Sequence, residues 1–297
     1  MEKTANLAKL ESLYTSSLSD RDFRRLSKFI YSECGVNLPE YKKILLESRL
    51  HKRIRKLRIQ SLKDYCDYLF SPQGMTQELS HLIDAITTNK TDFFREPAQF
   101  DYLVQQVLPE LISENRAGFL YSLSIWSAGC SSGEEPYTLS MVLEDYSERL
   151  HNHSLDYHVL ATDVSLGILK IAERAIYDHD QIKPVPLNLR KKYLLKGKGH
   201  NKHLIRIVPE LRRTVRFKQL NFLDNNYGIP DQVDVVFCRN VIIYFDKVTQ
   251  EQVLRRICKH LRPGGYLFMG HSETLNQINV PLDQVAPTIY KKNHDSF

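Results

Sequence analysis

Apolar residues recur every three to four positions near the start of the chain and gather into short unbroken runs later, so the change of period divides it. Phe23, Leu26, Phe29 and Ile30 follow Ser19 and Asp20, two side chains suited to capping, and predict a helix. A second helix is expected after Pro39, with the apolar stripe Leu46, Leu50, Ile54 and Leu57. On its wheel Arg49, Lys52, Arg53 and Lys56 fall together beside that stripe, so one side packs and another presents positive charge.

From about Leu123 short apolar strands alternate with helices. Strands are predicted at Leu123–Ala128, Tyr157–Thr162, Val215–Leu220, Val233–Cys238 and Tyr266–Gly270, and helices at Glu135–Leu150, Ser165–Ala175 and Thr249–Leu261, with a turn at Pro263-Gly264-Gly265. Such alternation implies a largely parallel sheet covered by helices, an α/β fold. The segment Lys183–Arg213 interrupts it. There Tyr193–Leu195 and Leu204–Val208 flank the turn-rich Gly197-Lys198-Gly199-His200-Asn201, which predicts a small antiparallel insert.

Composition narrows the class without naming a function. With 42% apolar and 26% charged residues the chain is globular, and its 297 residues allow a sizeable core in one or two domains. The runs Val233–Cys238 and Val241–Phe245 fall far short of the roughly 20 residues that cross a bilayer. Met1–Leu18 lacks the apolar middle of a secretory signal, so a cytoplasmic location is expected. Five cysteines are scattered without zinc-type or disulfide-type spacing, and no metal site is expected. Net charge is +6, and residues 1–80 hold 15 Lys and Arg against 10 Asp and Glu. That excess suits a solvated face or an acidic protein partner. Nucleic acid is disfavoured, because the remainder is balanced and no nucleic-acid-binding signature accompanies the run.

Candidate chemistry clusters where predicted strands end. Ala128-Gly129-Cys130-Ser131-Ser132-Gly133-Glu134-Glu135-Pro136 joins a strand to a helix, and its glycines let the backbone approach a nucleotide-like ligand. The dinucleotide pattern GxGxxG is absent, and two carboxylates would repel a pyrophosphate. They suit a ligand with a cationic centre and hydroxyls, or equally favour the helix N-terminus through its dipole. Asp163 closes the next strand, where ribose recognition and helix capping are both reasonable roles. Thr87–Pro97 combines amides, hydroxyls, Phe93, Phe94 and Arg95; a guanidinium there can aim at a carboxylate, whereas a cap followed by core aromatics is the plainer reading. Arg239 and Asn240 follow the fourth strand and face the ligand crevice, Val241, Ile242 and Ile243 return to the core, and Tyr244 alone reads as a core tyrosine.

Together the segments TNKTDFFR, WSAGCSSGEEPY, ATDVS, KQLNFLD, FCRNVIIYFDKVTQE and LRPGGYLFMGHSETL, in this order from about Ser19 to the end, resemble the CheR-type chemotaxis receptor glutamate methyltransferases. The resemblance implies an all-α N-terminal domain over residues 1–85 and a class I S-adenosylmethionine-dependent methyltransferase domain over 86–297, with a small β subdomain at about 183–213. It implies a cofactor site from Asn89, Thr91, Arg95, Gly129, Glu134 or Glu135, Asp163, Asn221, Phe222, Arg239 and Asn240, with Arg95 and Tyr244 nearest the methyl transfer. The implied products are a glutamate methyl ester and S-adenosylhomocysteine, and the implied partners are methyl-accepting chemotaxis receptors. Arg49, Lys52, Arg53 and Lys56 would dock the acidic receptor helices. Gly197, Gly199 and Arg206 lie where some relatives bind a C-terminal tethering peptide, although Asn201-Lys202-His203 replaces part of the usual glycine-rich turn. A cytoplasmic enzyme recruited to membrane receptor arrays is the resulting expectation.

Overall fold

The computed structural model describes residues 17–150, 154–229, 232–276 and 278–293. Residues 1–16, most of the stretch tested above for a secretory signal, lie outside the described residues. The chain forms two compact units, the first comprising residues up to Thr88 with Ser165–Gly167, the second the remainder.

The first unit is helical. Helix α1 (Asp20–Cys34) begins at Ser19, whose Oγ accepts from the Asp22 N–H at 3.0 Å, and ends at Gly35 with φ of 75°. After Pro39 a single 3₁₀ turn, Glu40–Lys42, leads into α2 (Lys43–Leu57), followed by α3 (Leu62–Leu69), α4 (Pro72–Gln77) and α5 (Leu79–Ile86). Leu46, Leu50 and Ile54 are buried as their spacing predicts.

The basic face of α2 differs from the expectation. Arg53 stands seven residues after Leu46 and three after Leu50, which places it inside the apolar stripe rather than beside it. It is buried and paired with Glu78, Nη2 to Oε2 at 2.6 Å, while the Tyr65 hydroxyl donates to Glu78 Oε1 at 3.1 Å. Arg49 donates to the Ile86 and Thr87 carbonyls and to Thr88 Oγ1, closing the carboxyl end of α5. Of the four docking candidates only Lys52 and Lys56 are exposed, joined among the basic residues of that helix by Arg55.

In the second unit the strands are β1 (Leu123–Ala128), β2 (Tyr157–Asp163), β3 (Ile176–Asp178), β4 (Leu194–Lys196), β5 (Leu204–Ile207), β6 (Val215–Gln219), β7 (Val233–Cys238), β8 (Leu261–Met269), β9 (Leu282–Ala286) and β10 (Ile289–Lys292). Seven of them form one sheet in the order β6-β2-β1-β7-β8-β10-β9. The first five are parallel, and β10 runs antiparallel to β8 and β9. The connecting helices include α6 (Pro97–Tyr102), α7 (Leu108–Asn115), α8 (Glu134–Arg149), α9 (Leu166–Arg174), α10 (Leu187–Tyr193), α11 (Pro209–Thr214) and α12 (Lys247–His260).

Alternation along the central strands sends side chains to two apolar layers. Ile125, Val235, Phe237 and Phe268 join the layer with Phe100 and Tyr137, whereas Trp126, Val236 and Leu267 join the one with Leu254 and Ile257. Stacked rings of Phe237 and Phe268, 4.3 Å apart, bridge β7 and β8 within the first layer. All five cysteines are free of disulfides and buried, which pushes the thiols of Cys34, Cys66 and Cys258 up to about 11, 12 and 12 and raises those of Cys130 and Cys238 well above the ordinary thiol value.

Three features depart from the sequence expectation. Pro263-Gly264-Gly265 is not a turn before a strand but a bulge inside β8: Val233 pairs with Leu261, and Val235 already pairs with Tyr266. The insert has three strands rather than two, ordered β3-β5-β4, because Ile176–Asp178 adds an edge too short to show a period. The hairpin β9–β10 was not foreseen either, since its strands are only five and four residues long and show no sustained alternation.

The buried Arg53–Glu78 pair generates a stability prediction. Glu78→Ala leaves a buried guanidinium unpaired and is expected to cost about 3–5 kcal/mol, whereas the double change Arg53→Met with Glu78→Leu costs much less. Urea unfolding of the full chain, with both variants alongside the parent, measures this directly. Equal losses in the two variants would remove the pair from its assigned role.

Candidate active site

Strand order reverses at β1, with β2 on one side and β7 on the other, so a crevice opens at the carboxyl ends of these strands. The β1–α8 loop is shaped to fit it. Gly129 and Gly133 take φ of 86° and 96°, and Ser131 takes 50° despite its side chain. A side chain at Gly129 would run into Val241, so this position also permits close approach between the ends of β1 and β7. The Gly129 and Cys130 N–H groups donate to the Thr162 carbonyl at 2.8 and 2.9 Å, fastening the loop to β2.

Asp163 is buried at the end of β2, and its Oδ2 accepts from the Ser131 N–H at 2.9 Å. The carboxylate therefore supports the loop as well as standing at the crevice. Ser131 Oγ donates to the Asn89 carbonyl at 3.0 Å, which brings the segment Asn89–Pro97 to the same edge. Phe93 anchors that segment in the core, edge-on to Tyr177 at 4.9 Å, and the Phe94 N–H donates to Thr138 Oγ1. Phe94 remains half-buried.

The two loop glutamates diverge. Glu134 Oε2 accepts from Ser132 Oγ at 2.6 Å and its Oε1 lies 3.4 Å from Gln181 Nε2, whereas Glu135 Oε1 accepts from Ser127 Oγ at 2.6 Å and its Oε2 lies 3.6 Å from Arg239 Nη1. Burial holds both carboxyls above the usual carboxylate range; nearby Asp92 adds to this for Glu134, and the Arg239 charge opposes it for Glu135.

Arg239 is the charged centre of the crevice. Its guanidinium lies 3.3 Å from Glu96 Oε2, donates to the Arg95 carbonyl, and sits over the rings of Phe100 and Phe237 at 5.5 and 5.9 Å. Glu96, which follows the TNKTDFFR motif and was given no role by the sequence, thus stands beside Arg239; its Oε1 also accepts from the His271 N–H at 3.3 Å. Arg95 is half-buried between Phe94 and Glu96, whose φ angles are 54° and 59°, and its Nη1 donates to the Lys90 carbonyl at 3.1 Å. Thr91 is half-buried in the same turn.

The end of β7 completes the arrangement. Asn240 has φ of 58°, and its buried Oδ1 has no hydrogen-bond partner among the described residues. Tyr244, half-exposed, ends the 3₁₀ turn Ile242–Tyr244. Ile242 is buried as expected, but Ile243 is 43% exposed, because successive side chains of a 3₁₀ turn point about 120° apart and the two neighbours cannot both face the core. Asn221 Oδ1 accepts from the Leu223 N–H at 3.0 Å, an Asx turn after β6. The Phe222 ring is buried among Trp126, Tyr227 and Phe245, which leaves its backbone rather than its side chain for any ligand contact.

Glu273, after β8, was missed by sequence reasoning altogether; an acid that follows Gly270-His271-Ser272 carries no period or spacing that marks it. In the insert, Gly197 lies where any side chain would strike the Asn201 carbonyl, and Gly199 takes φ of 57°. Among the described residues no group of three or more His, Cys, Asp and Glu side chains could hold a metal ion, and no helix is long and apolar enough to cross a membrane.

The donor set can be tested against the ligand suggested by the motifs. The buried Glu134 and Asp163, the half-buried Glu135 and an orphaned amide oxygen offer acceptors, which suits an ammonium, a sulfonium, ribose hydroxyls and an amino group, and suits a phosphate poorly. Comparison with known proteins agrees. Residues 89–291 match the family described as CheR methyltransferase, SAM binding domain, and residues 21–87 match the CheR methyltransferase, all-alpha domain. The chemotaxis protein methyltransferase of Borreliella burgdorferi is 38% identical over 278 residues, 93% of this chain and 96% of that protein. Those of Klebsiella aerogenes and Escherichia coli are 38% and 35% identical over 273 and 279 residues, covering 92% and 94% of this chain and 90% and 93% of theirs.

The raised carboxyl of Glu134 fixes the sign of a pH dependence. Its folded value lies above the unfolded one, near 4.3, so its contribution to stability is full below that value and is lost as pH rises through the folded value. Glu134→Gln imitates the protonated form at every pH. The ligand-free variant is therefore expected to unfold at a higher temperature than the parent at pH 7–8, the gap closing as pH falls toward 4. A gap that is constant from pH 4 to 8, or reversed at pH 8, would contradict the assigned burial cost.

Proposed function

Since the chain belongs to the CheR methyltransferase family, we propose that it transfers a methyl group from S-adenosylmethionine to glutamate side chains of chemotaxis receptors. The products are glutamate methyl esters and S-adenosylhomocysteine, and the role is sensory adaptation. The observation that carries this reading is Arg95, half-buried on a left-handed turn at the crevice and tied through its own carbonyl to buried Arg239.

S-adenosylmethionine supplies the electrophilic methyl group. Asn89, Thr91, Gly129, Asp163, Asn221, the Phe222 backbone, Arg239 and Asn240 are the candidates to hold it, with Glu134 or Glu135 for its cationic end. A glutamate carboxylate, with an ordinary pKa near 4.3, is already ionised at neutral pH, so the chain need not supply a strong base. What its residues must supply is orientation and exclusion of water, worth up to about 7–11 kcal/mol of the barrier in favourable cases. Arg95 offers a planar pair of donors to the acceptor carboxylate, and Tyr244 a single hydroxyl. Arg239 cannot compete for that carboxylate, because Glu96 and Glu135 already neutralise it.

Each transfer removes one negative charge from a receptor helix, which relaxes repulsion between packed helices. Lys52 and Lys56, the exposed members of the α2 set, are the docking candidates, whereas Arg49 and Arg53 support the helical unit itself. The outer edge of β4 offers backbone groups to a short tethering peptide from the receptor C-terminus. The enzyme would act in the cytoplasm, recruited to membrane receptor arrays.

Labelled S-adenosylmethionine and receptor-containing membranes test the acceptor: label on the receptor is expected to be released by mild base, and base-stable label would sink the ester assignment. Roles separate in variants. Asp163→Ala is expected to weaken S-adenosylhomocysteine binding by at least about tenfold, or 1.4 kcal/mol. Arg95→Ala should lower turnover by about 10²–10³ with a much smaller effect on binding. Calorimetry and steady-state kinetics showing the opposite pattern would exchange the two assignments.

A further inference from the structure

We propose that Glu273 is the positioning residue that fixes the Asn240–Tyr244 turn, and through it both the nucleoside end and the acceptor end of the crevice. The inference rests on the methyl-transfer reading for its second half only.

Glu273 is buried, and its carboxylate accepts four backbone N–H groups. Oε2 takes those of Gly270 at 2.7 Å and Asn240 at 2.8 Å, while Oε1 takes those of Val241 at 2.9 Å and Ile242 at 3.0 Å. Three consecutive N–H groups converge because Asn240 is left-handed, at φ of 58°, and Val241 right-handed, at φ of −114° and ψ of −50°. Such an alternation forms a concave nest that attracts an anion, and here the anion is the protein's own side chain. No neutral residue can satisfy four donors with two oxygens in this way. A buried carboxylate is costly to desolvate, and burial does hold this one above the usual range, so its retention needs a reason beyond packing.

The geometry supplies that reason. The nest holds Asn240 in a conformation a non-glycine residue rarely adopts, with its unpartnered Oδ1 buried at the crevice. Gly270, bound by the same carboxylate, leaves room for the Asn240 amide: a Cβ there would lie 2.5 Å from Asn240 Nδ2. Val241 touches the Gly129 loop, and the Ile242 N–H opens the 3₁₀ turn that ends at Tyr244. One side chain thus sets three neighbours that would each meet a different part of the bound molecules.

Glu273→Gln keeps the shape but turns an NH₂ group toward two of the donors. Two double-mutant cycles test the proposal. In the first, S-adenosylhomocysteine binding to Glu273→Gln, Asn240→Ala and the double variant is measured by calorimetry. About a tenfold loss is expected in each single variant, with little further loss in the double. In the second, turnover is expected to fall about 100-fold in Glu273→Gln, and Tyr244→Phe should add little to it, since a displacement near 1 Å costs on that order. Additive losses in both cycles, or a lower unfolding midpoint with unchanged binding and turnover in the folded protein, would overturn it. Should Glu273→Gln not fold, Gly270→Ala displaces Asn240 from the other side without altering charge and enters the same cycles. If the parent yields no base-labile receptor label, the acceptor assignment fails while the binding cycle still decides for or against Glu273.

Discussion

A guanidinium removed from water must find charge and hydrogen-bond partners, and the second unit is organised around meeting that demand for Arg239. Its partners come from distant parts of the chain: Glu96 and the Arg95 carbonyl from the turn before α6, Glu135 from the start of α8, and two aromatic faces from the core. Leaving such a charge unpaired typically costs about 3–5 kcal/mol, comparable with a large part of a domain's net stability. The pairing therefore ties three chain segments together at the carboxyl edge of the sheet. It also explains how Phe94 and Glu96 keep left-handed backbones on either side of Arg95: the conformation is over-determined by what surrounds it.

The same edge shows acids in two distinct employments. Glu135 and Glu96 neutralise a cation, whereas Asp163 accepts from the backbone of the glycine loop and Glu273 from the backbone after β7. A crevice rich in carboxylates is consequently less negative than its composition suggests. Among the described residues Glu134 makes no ion pair and its contacts are a hydroxyl and an amide, which is why we propose it as one of the two acids for a positively charged ligand.

What could be read from the sequence follows from the range of the forces involved. The central strands β1 and β7 were legible because both faces are buried and their apolar character runs on, and the start of α1 because Ser19 caps it locally. Glu134, Glu135, Asp163 and Arg239 were legible as candidates because strand ends are where such folds expose chemistry, whereas Arg95, which follows no strand, was singled out only through the family resemblance. Their pairing was not, since Arg239 and Glu96 lie far apart in the chain and meet only in the fold. Charge on a helical wheel misled for Arg53, where a position inside the apolar stripe was compensated by Glu78 on another helix. Edge strands β3 and β9, and β10 beside β9, escaped notice because they are short, and Glu273 because its partners are backbone amides that carry no sequence identity.

The buried cysteines have a consequence of their own. With every thiol shielded and its proton held tightly, none presents a nucleophilic thiolate to an electrophile or oxidant while the chain is folded. Cys34 and Cys66 belong to the helical unit, and Cys130, Cys238 and Cys258 to the sheet unit. The chain thus carries a natural set of opening reporters: alkylation of each thiol, followed over time by mass spectrometry, records how often its own unit transiently unfolds, with no label introduced.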